Sequence, residues 1–554
     1  MAHPLFERHR ATLERSLTAI AERGYWSPFP ESASPKVYGE GAAEAGKAAF
    51  DALRDKPFAL DQPGAAGTVG FERSPFGFPL GIAYPNVDID ALFAAVGEAA
   101  AGWRRAGPEA WVGVCLEILH RINQQSFLIA NAVMHTTGQA FLMAFQAGGP
   151  HAQDRGLEAV AYAWDELRRI PAMALWEKPQ GKSEPLRMEK HYRIVPRGVG
   201  LVIGCCTFPT WNGYPGLFAD LATGNAVVVK PHPAAILPLA LTVRIAREVL
   251  SEAGFDPNVV TLFAHAAGDD TAPTLALRPE VKLIDFTGSS ANGDWLEANA
   301  RQALVFTEKA GVNQIVVDSA VDFEGLVRNV AFSLALYTGQ MCTAPQNIYI
   351  PQDGIDTADG HLGFDQVACA LAEGVTRLLG EPARAVEILG AVVNDGVLKR
   401  LAAARSLGPI VLDTQAIAHP QFPDAVIRSP LIVRLVAGDR DKYLQEWFGP
   451  IAFVIATRDT GESLAIAKGA VRRKGALTLA VYSSRDHVIA RAVEVAEDAG
   501  VALSINLTNG VYVNQSAAFS DYHGTGANPA ANAALTDAAF VAGRFRVVQH
   551  RVHV

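Results

Sequence analysis

Cys342 lies in the run Tyr337-Thr338-Gly339-Gln340-Met341-Cys342-Thr343, and an acidic residue, Glu308 of Phe306-Thr307-Glu308-Lys309-Ala310-Gly311, precedes it by 34 positions. A thiol behind a Gly-Gln turn and a carboxylate at this separation fit a covalent nucleophile and its base. Taken singly, each has a plainer meaning. A lone cysteine in an apolar stretch is about ten times more often a small core residue, and a lone glutamate before a glycine usually ends a strand in water.

Three further runs add chemistry. The strand-like Ala226-Val227-Val228-Val229 ends in Lys230-Pro231, which sets an ammonium at the carboxyl edge of a parallel sheet, where open α/β folds bind nucleotides. Phe286-Thr287-Gly288-Ser289-Ser290-Ala291-Asn292-Gly293 leaves a strand and opens a helix, so backbone amides and a helix N-terminus face an anion there. It is not a G-x-G-x-x-G fingerprint, and an ordinary capped turn explains it equally well. The third run is Glu446-Trp447-Phe448-Gly449-Pro450.

The elements that must position these residues follow from pattern. Residues 9–24 set Leu13, Leu17 and Ile20 on one helical face, and Pro28 and Pro30 stop it. A Gly- and Pro-rich tract at 62–85 is expected to be an ordered connection anchored by Phe71, Phe76, Phe78 and Tyr84. From 87 to about 170 the pattern is helical scaffold. Beyond Pro196, strands at 199–205, 226–229, 259–263, 282–286 and 314–317 alternate with helices at 216–223, 236–253 and 290–303, which implies βαβ units and a parallel sheet. A second series places strands near 347–351, 431–436, 451–456, 477–482 and 501–505. The last stretch, from Arg544, starts as an alternating edge strand that weakens beyond Val548, and such a terminal strand often completes a sheet in another subunit.

Composition narrows the field. At 554 residues, at least two domains are expected. The formal charge of −9, from 57 acidic and 48 basic residues without a basic stripe, argues against nucleic acid as a partner. Five scattered cysteines (Cys115, Cys205, Cys206, Cys342, Cys369) argue against a disulfide framework and for a reducing compartment. The N-terminal residues Met1 to Arg8 lack the apolar core of a secretory signal, and no apolar run is long enough for a bilayer, so a cytoplasmic protein with no membrane partner is expected. Nothing calls for a metal.

The order Lys-Pro, Phe-Thr-Gly-Ser, strand-end Glu, Gly-Gln-x-Cys and Glu-x-Phe-Gly-Pro resembles the aldehyde dehydrogenase superfamily over roughly residues 90–554. The resemblance implies an α/β fold with two Rossmann-like, doubly wound parallel-sheet domains and a small oligomerisation β-extension. It divides the chain into an N-terminal extension (1–85), a cofactor-binding domain (86–310, interrupted by a hairpin at about 176–195), a catalytic domain (311–530) and a C-terminal oligomerisation segment (531–554). It also implies a homodimer or homotetramer bridged by that hairpin and a strand at 544–552. Residue by residue, Cys342 matches the thiolate that attacks an aldehyde, and Glu308 the base that activates water to hydrolyse the thioester, a task suited to a carboxyl moved by partial burial toward neutrality. Glu446 matches the carboxylate on the nicotinamide ribose, Phe448 the aromatic beside it, Lys230 the lysine on the adenosine ribose, and Gly288, Ser289 and Gly293 the helix start by the pyrophosphate.

Two positions depart from that pattern. Where the family carries its oxyanion-hole asparagine before Phe-Pro, this chain has Thr207. Losing one such donor costs about a hundred- to a thousandfold in rate. Threonine can donate but is shorter, so either the hole is rebuilt, with Asn212 as a candidate, or catalysis is slower; the plainer reading of Asn212 is a turn residue after Trp211. Three residues after Lys230, NAD-preferring members have a glutamate where this chain has Pro233. With that carboxylate gone and His232 and Lys230 beside the place, NADP is favoured slightly over NAD.

The run Ala518-Phe519-Ser520-Asp521-Tyr522-His523-Gly524-Thr525-Gly526-Ala527-Asn528-Pro529, with Thr207–Asn212 and the N-terminal extension, resembles the phenylacetic acid degradation protein N subfamily. That implies an aldehyde from aromatic catabolism, its carbon chain borne free or as a coenzyme A thioester. Phe519 and Trp211 are either walls of an apolar substrate channel or simple packing. The alternatives are a coenzyme A-acylating dehydrogenase, whose members generally lack the base that Glu308 matches, and a cofactor-binding regulatory or assembly protein, which only Thr207 supports.

Overall fold

The computed structural model describes residues 3–269, 271–309 and 311–554. Met1 and Ala2 of the N-terminal run and Ala310 of the Glu308 run therefore lie outside the described residues, as does Asp270. Two large sheets organise the rest. The first has five parallel strands in the order Val260–Leu262, Ala226–Lys230, Val199–Ile203, Val281–Gly288 and Leu304–Lys309. Its Val/Ile/Leu-rich strands are buried on both faces, as helix-covered parallel strands must be. The chain winds outward from Val199–Ile203 in both directions, so a switch point opens at that strand's carboxyl end.

The second sheet has seven strands in the order Ile410–Leu412, Leu431–Val436, Ile451–Thr457, Pro345–Pro351, Asn313–Val317, Thr478–Tyr482 and Ala502–Ile505, all parallel except the antiparallel edge Ile410–Leu412. The expected α/β architecture is thus present. One strand changes sheet: 314–317, read as the last of the first series, lies inside the second beside Pro345–Pro351, and Leu304–Lys309 takes its place. Pairing between distant segments decides this, and local pattern does not report it. The helix expected at 216–223 spans Pro209–Ala222. Pro209 at its first turn is well placed, and Pro215 inside it masked its helical pattern.

Five helices, Ile89–Ala106, Pro108–Gln124, Ser126–Thr137, Phe141–Gly148 and Pro150–Leu167, form the expected scaffold. In the 62–85 tract, Phe76 and Tyr84 are buried and anchor the loop, but Phe71 is 78% exposed and anchors nothing. The N-terminal helix Arg10–Glu22 packs on the scaffold through Leu13 and Ala19.

A third sheet stands apart: the hairpin Met173–Gln180 and Ser183–Pro196, with Phe545–His553 added antiparallel along the second strand, from Phe545 opposite Pro196 to His553 opposite Met188. The terminal strand therefore finds its partner within its own chain and continues to His553. Its root is Arg544, buried between Asp220 and Asp285 at 2.6 Å from each, with its guanidinium over the rings of Phe306 and Phe540.

Candidate active site

Cys342 sits in a loop between the helix Phe323–Ala335 and the central strand Pro345–Pro351 of the seven-stranded sheet. The approach is left-handed over three residues: Tyr337 (φ 52°), Thr338 (φ 55°) and Gly339 (φ 61°). Such φ values cost a non-glycine residue about 1–3 kcal/mol and persist only when the surroundings fix them. Here they are fixed: Tyr337 Oη donates to Thr137 O, Thr338 Oγ1 to Leu389 O at 2.8 Å, and Gln340 Nε2 to Ala391 O at 3.0 Å. Gly339 has no room for a side chain, because a Cβ would lie 2.4 Å from Gly449 O. Asn313 Nδ2 then holds Cys342 O at 2.7 Å.

Glu308 is the penultimate residue of Leu304–Lys309, at the carboxyl edge of the five-stranded sheet. A C-terminal strap secures it: Lys309 N donates to Ala530 O at 2.6 Å, and Thr307 N to Asn532 Oδ1 at 2.8 Å. Cys342 and Glu308, 34 residues apart, thus meet, and a third group joins them. The Cys342 thiol, the Glu308 carboxylate and the His523 ring place one ligand-type atom each within 4.8 Å of one another. His523 Nε2 is 3.1 Å from Glu308 Oε1 and 3.9 Å from Cys342 Sγ. The ring is fixed from behind by Ser516 Oγ at 3.3 Å from Nδ1, and Trp211 meets it edge-on at 4.5 Å.

His523 was not singled out from the sequence. The available signal was a histidine within the 518–529 run that replaces the family's usual segment. Asn212 likewise differs from its turn reading: it lies in the helix Pro209–Ala222, is buried, and its Nδ2 donates to Glu308 Oε2 at 3.0 Å.

The electrostatics follow from these contacts. Burial by itself raises the Glu308 carboxyl, but His523 beside it and hydrogen bonds from His523, Cys342 and Asn212 outweigh burial and hold it below the usual carboxylate range. The expected drift toward neutrality is therefore reversed. Burial first, and then the Glu308 carboxylate, push the Cys342 thiol well above its ordinary value. A thiol in this place needs a partner to become a thiolate.

Thr207 directs its hydroxyl toward Cys205 Sγ at 3.8 Å, and its carbonyl accepts from Gln139 Nε2 at 2.8 Å. Phe519 is fully buried under the Trp26 ring at 5.1 Å, so it is packing and not an open channel wall. Trp211 is half-buried beside the His523 ring, with Arg155 over it at 5.2 Å.

The residues expected at a cofactor lie at the same sheet edges. Lys230 ends its strand buried, with Nζ 2.6 Å from His265 Nε2. Ser289 caps the helix Ser290–Asn299 by accepting from Asn292 N at 3.3 Å. Gly293 lets Lys309 pass, since a Cβ would lie 2.6 Å from Lys309 Cδ, and Gly288 precedes that turn. Glu446 and Phe448 line a cleft with Gly339, Met341 and Trp447, next to the nucleophile loop. An ammonium and a helix N-terminus at one parallel-sheet edge, and an exposed carboxylate in the adjoining cleft, form a donor set that suits a dinucleotide's phosphates and ribose hydroxyls. His232 differs from expectation. Burial, then Lys230 and His265, depress it to about 4, so its ring is neutral near pH 7 and accepts from Ala234 N at 3.1 Å. It brings no positive charge to a 2′-phosphate.

Two doubly covered parallel sheets with a thiol, a carboxylate and a nucleotide-type edge between them define a dehydrogenase-like α/β protein. The model of the aldehyde dehydrogenase family matches residues 83–534, and the chain belongs to that family. It is 67% identical to a solved NAD-dependent aldehyde dehydrogenase from Burkholderia multivorans, with all of both chains covered and a TM-score of 0.99. It is 27% identical to the N-succinylglutamate 5-semialdehyde dehydrogenase of Burkholderia lata over 66% of this chain and 71% of that one. A Thermus thermophilus 1-pyrroline-5-carboxylate dehydrogenase shares the fold at a TM-score of 0.72 and 20% identity, over 96% of this chain and 99% of that one. The chain spans about half to two thirds of the length of the first curated relatives it matches, at 54% and 66%. No helix among the described residues is long and apolar enough to cross a membrane.

Proposed function

We propose that this protein oxidises an aldehyde to a carboxylic acid through a covalent thioester on Cys342, with a nicotinamide dinucleotide as oxidant. The observation that carries the reading is the meeting of the Cys342 thiol and the Glu308 carboxylate within 4.8 Å, beside the Glu446–Phe448 cleft. When bound, the dinucleotide supplies a hydride acceptor. Cys342 forms the C–S bond, Glu308 takes the proton of the water that cleaves it, and Asn212 keeps that carboxylate ionised and aimed. Lys230, Gly288, Ser289 and Gly293 hold the adenosine and phosphate side, and Glu446 with Phe448 the nicotinamide ribose. Thr207 remains a candidate oxyanion donor after a rotation of its side chain away from Cys205.

Pro233, in place of a carboxylate, supports use of NADP as well as NAD, and neutral His232 limits that preference. The Burkholderia multivorans relative is described as NAD-dependent. The subfamily resemblance supports an aldehyde from aromatic catabolism, and retention of the Glu308 base supports hydrolysis over acyl transfer to coenzyme A. We read the domain division at 1–85, 86–310, 311–530 and 531–554, with the three-stranded sheet as the contact of a dimer or tetramer.

Cys342→Ala should abolish aldehyde-dependent reduction of either cofactor while cofactor affinity persists. Undiminished turnover in that variant removes the covalent mechanism. A broad aldehyde panel, run with both cofactors and with and without coenzyme A, sorts the substrate and the acyl acceptor.

A further inference from the structure

We propose that His523 is a catalytic residue of this site, the group that takes the proton from the Cys342 thiol and returns it when the thioester is cleaved. The inference rests on the covalent reading above and adds a member to it. Its basis is geometric. One nitrogen, Nε2, faces both Cys342 Sγ at 3.9 Å and Glu308 Oε1 at 3.1 Å, while the opposite nitrogen, Nδ1, is 3.3 Å from Ser516 Oγ. The two tautomers divide the work. With its hydrogen on Nε2 the ring donates to Glu308; with its hydrogen on Nδ1, donated to Ser516, the Nε2 lone pair is open to the thiol. Proton transfer starts from the second form and ends with an Nε2–H that again donates to Glu308.

The mount is built for a fixed ring. Arg155, itself buried, donates to Ser516 Oγ at 3.0 Å and to Asp521 O at 3.0 Å, and it pairs with buried Glu158 at 2.9 Å. His523 and Leu535 exchange both backbone hydrogen bonds at 3.0 Å, and Trp211 closes the ring's open side. Such support, two groups deep, is what holds a proton-transfer group at its post.

The proton accounting closes. The S–H bond breaks and the proton moves to Nε2, leaving a thiolate and an imidazolium whose new N–H donates to Glu308. The thiolate pair forms the C–S bond, and the carbonyl π pair moves to oxygen. Hydride passes to the oxidised nicotinamide dinucleotide, the co-substrate named above, and the carbonyl re-forms as a thioester. Water adds to that carbonyl, giving its proton to Glu308; the C–S bond breaks, and the departing thiolate recovers the proton from His523. The proton on Glu308 goes to solvent. The charged and titratable groups around the ring are Glu308 on its strand, Cys342 on its loop and Cys205 beyond the thiol, with the Arg155–Glu158 pair of the helix Pro150–Leu167 behind Ser516.

The test reads the thiol directly. The rate at which iodoacetamide alkylates Cys342 in the cofactor-free protein, followed by mass spectrometry of its peptide, is measured against pH for the parent, His523→Gln and Ser516→Ala. In His523→Gln the alkylation limb should move to higher pH and the rate at neutral pH should fall at least about tenfold, one unit of thiolate availability. Ser516→Ala, which keeps the imidazole, should move the limb in the same direction by less and serves alone if His523→Gln does not fold. Added imidazole should restore part of the rate in His523→Ala. A limb unmoved in the folded variants overturns the proposal, since loose packing alone changes amplitude and not the titration. Turnover surviving in Cys342→Ala would instead sink the covalent reading itself, so the two failures are told apart.

Discussion

Asn212 Nδ2 donates to Glu308 Oε2 at 3.0 Å, so the carboxylate is held from a helix of the five-stranded sheet on one oxygen and from the C-terminal segment, through His523, on the other. Asn212→Ala leaves that oxygen without its donor. A hydrogen bond to a charged group contributes about 1.5 kcal/mol or more, so the acid limb of kcat should move up by about one pH unit. The sign is fixed by the carboxyl's depressed value: activity in the parent persists to lower pH than in the variant. A pH–rate profile with the limb in place would separate Asn212 from catalysis.

Thr207→Asn should leave cofactor binding intact and preserve or raise the chemical step. Thr207's hydroxyl points at Cys205 Sγ, and a longer amide reaches further toward the adduct. Single-turnover kinetics check this, and a complete loss of the step would give threonine a dedicated role.

Glu446→Gln should weaken dinucleotide binding by about tenfold above pH 7, the worth of one hydrogen bond between its ionised carboxylate and a ribose hydroxyl, and by less below it, because desolvation in the cleft pushes that carboxyl up to about 7. Calorimetric titration with NAD and with NADP measures it. Equal losses for both cofactors are expected, because Glu446 lines the cleft beside the nucleophile loop, away from the Lys230 edge where a 2′-phosphate would sit.

Acid should destabilise the fold before it disables the site. His135 is buried against Phe50 and Phe78, at 4.9 and 5.0 Å, and burial depresses it to about 4. The unfolded chain takes up that proton near 6.5 and the folded chain only near 4, so stability is lost as pH falls through this window, by up to about 3 kcal/mol for the one group. His135→Leu should flatten the dependence of Tm on pH between those values; an unchanged slope would rule the residue out as its source.

Arg544→Ala should cost about 3–5 kcal/mol, because it strands two carboxylates in the core. Asp220 and Asp285 each sit 2.6 Å from the guanidinium. Denaturant unfolding gives the value, and a loss below about 1 kcal/mol would mean that water or protonation relieves the pair.

The placements legible in the sequence are those set by contiguous runs. Cys342 after a Gly-Gln turn, the strand-ending Lys230 and the helix start at Ser289 could be found because spacing and secondary structure are local properties. Both parallel sheets were legible for the same reason, from apolar runs alternating with helices. His523 was not, since its meaning comes from Cys342 and Glu308, 181 and 215 residues away, and from an isolated backbone pairing with Leu535. Asn212 was hidden by Pro215, which disguised its helix. The direction in which Glu308 shifts was illegible because burial opposes the His523 charge and the hydrogen bonds from His523, Cys342 and Asn212, and only the assembled contacts decide the winner.

The strap that secures Glu308 and the histidine that faces Cys342 both come from the last forty or so residues of the chain, while Trp26 and Arg23 from its beginning pack on Phe519 and Tyr522 of that same segment. During synthesis the first sheet and the helical scaffold emerge and fold early. The reactive thiol then exists for some time with neither its proton partner nor the clasp on its carboxylate. A copy that lacks this segment would keep the thiol and the sheets around it but lose both the histidine and the clasp on the carboxylate, and is expected to be inactive.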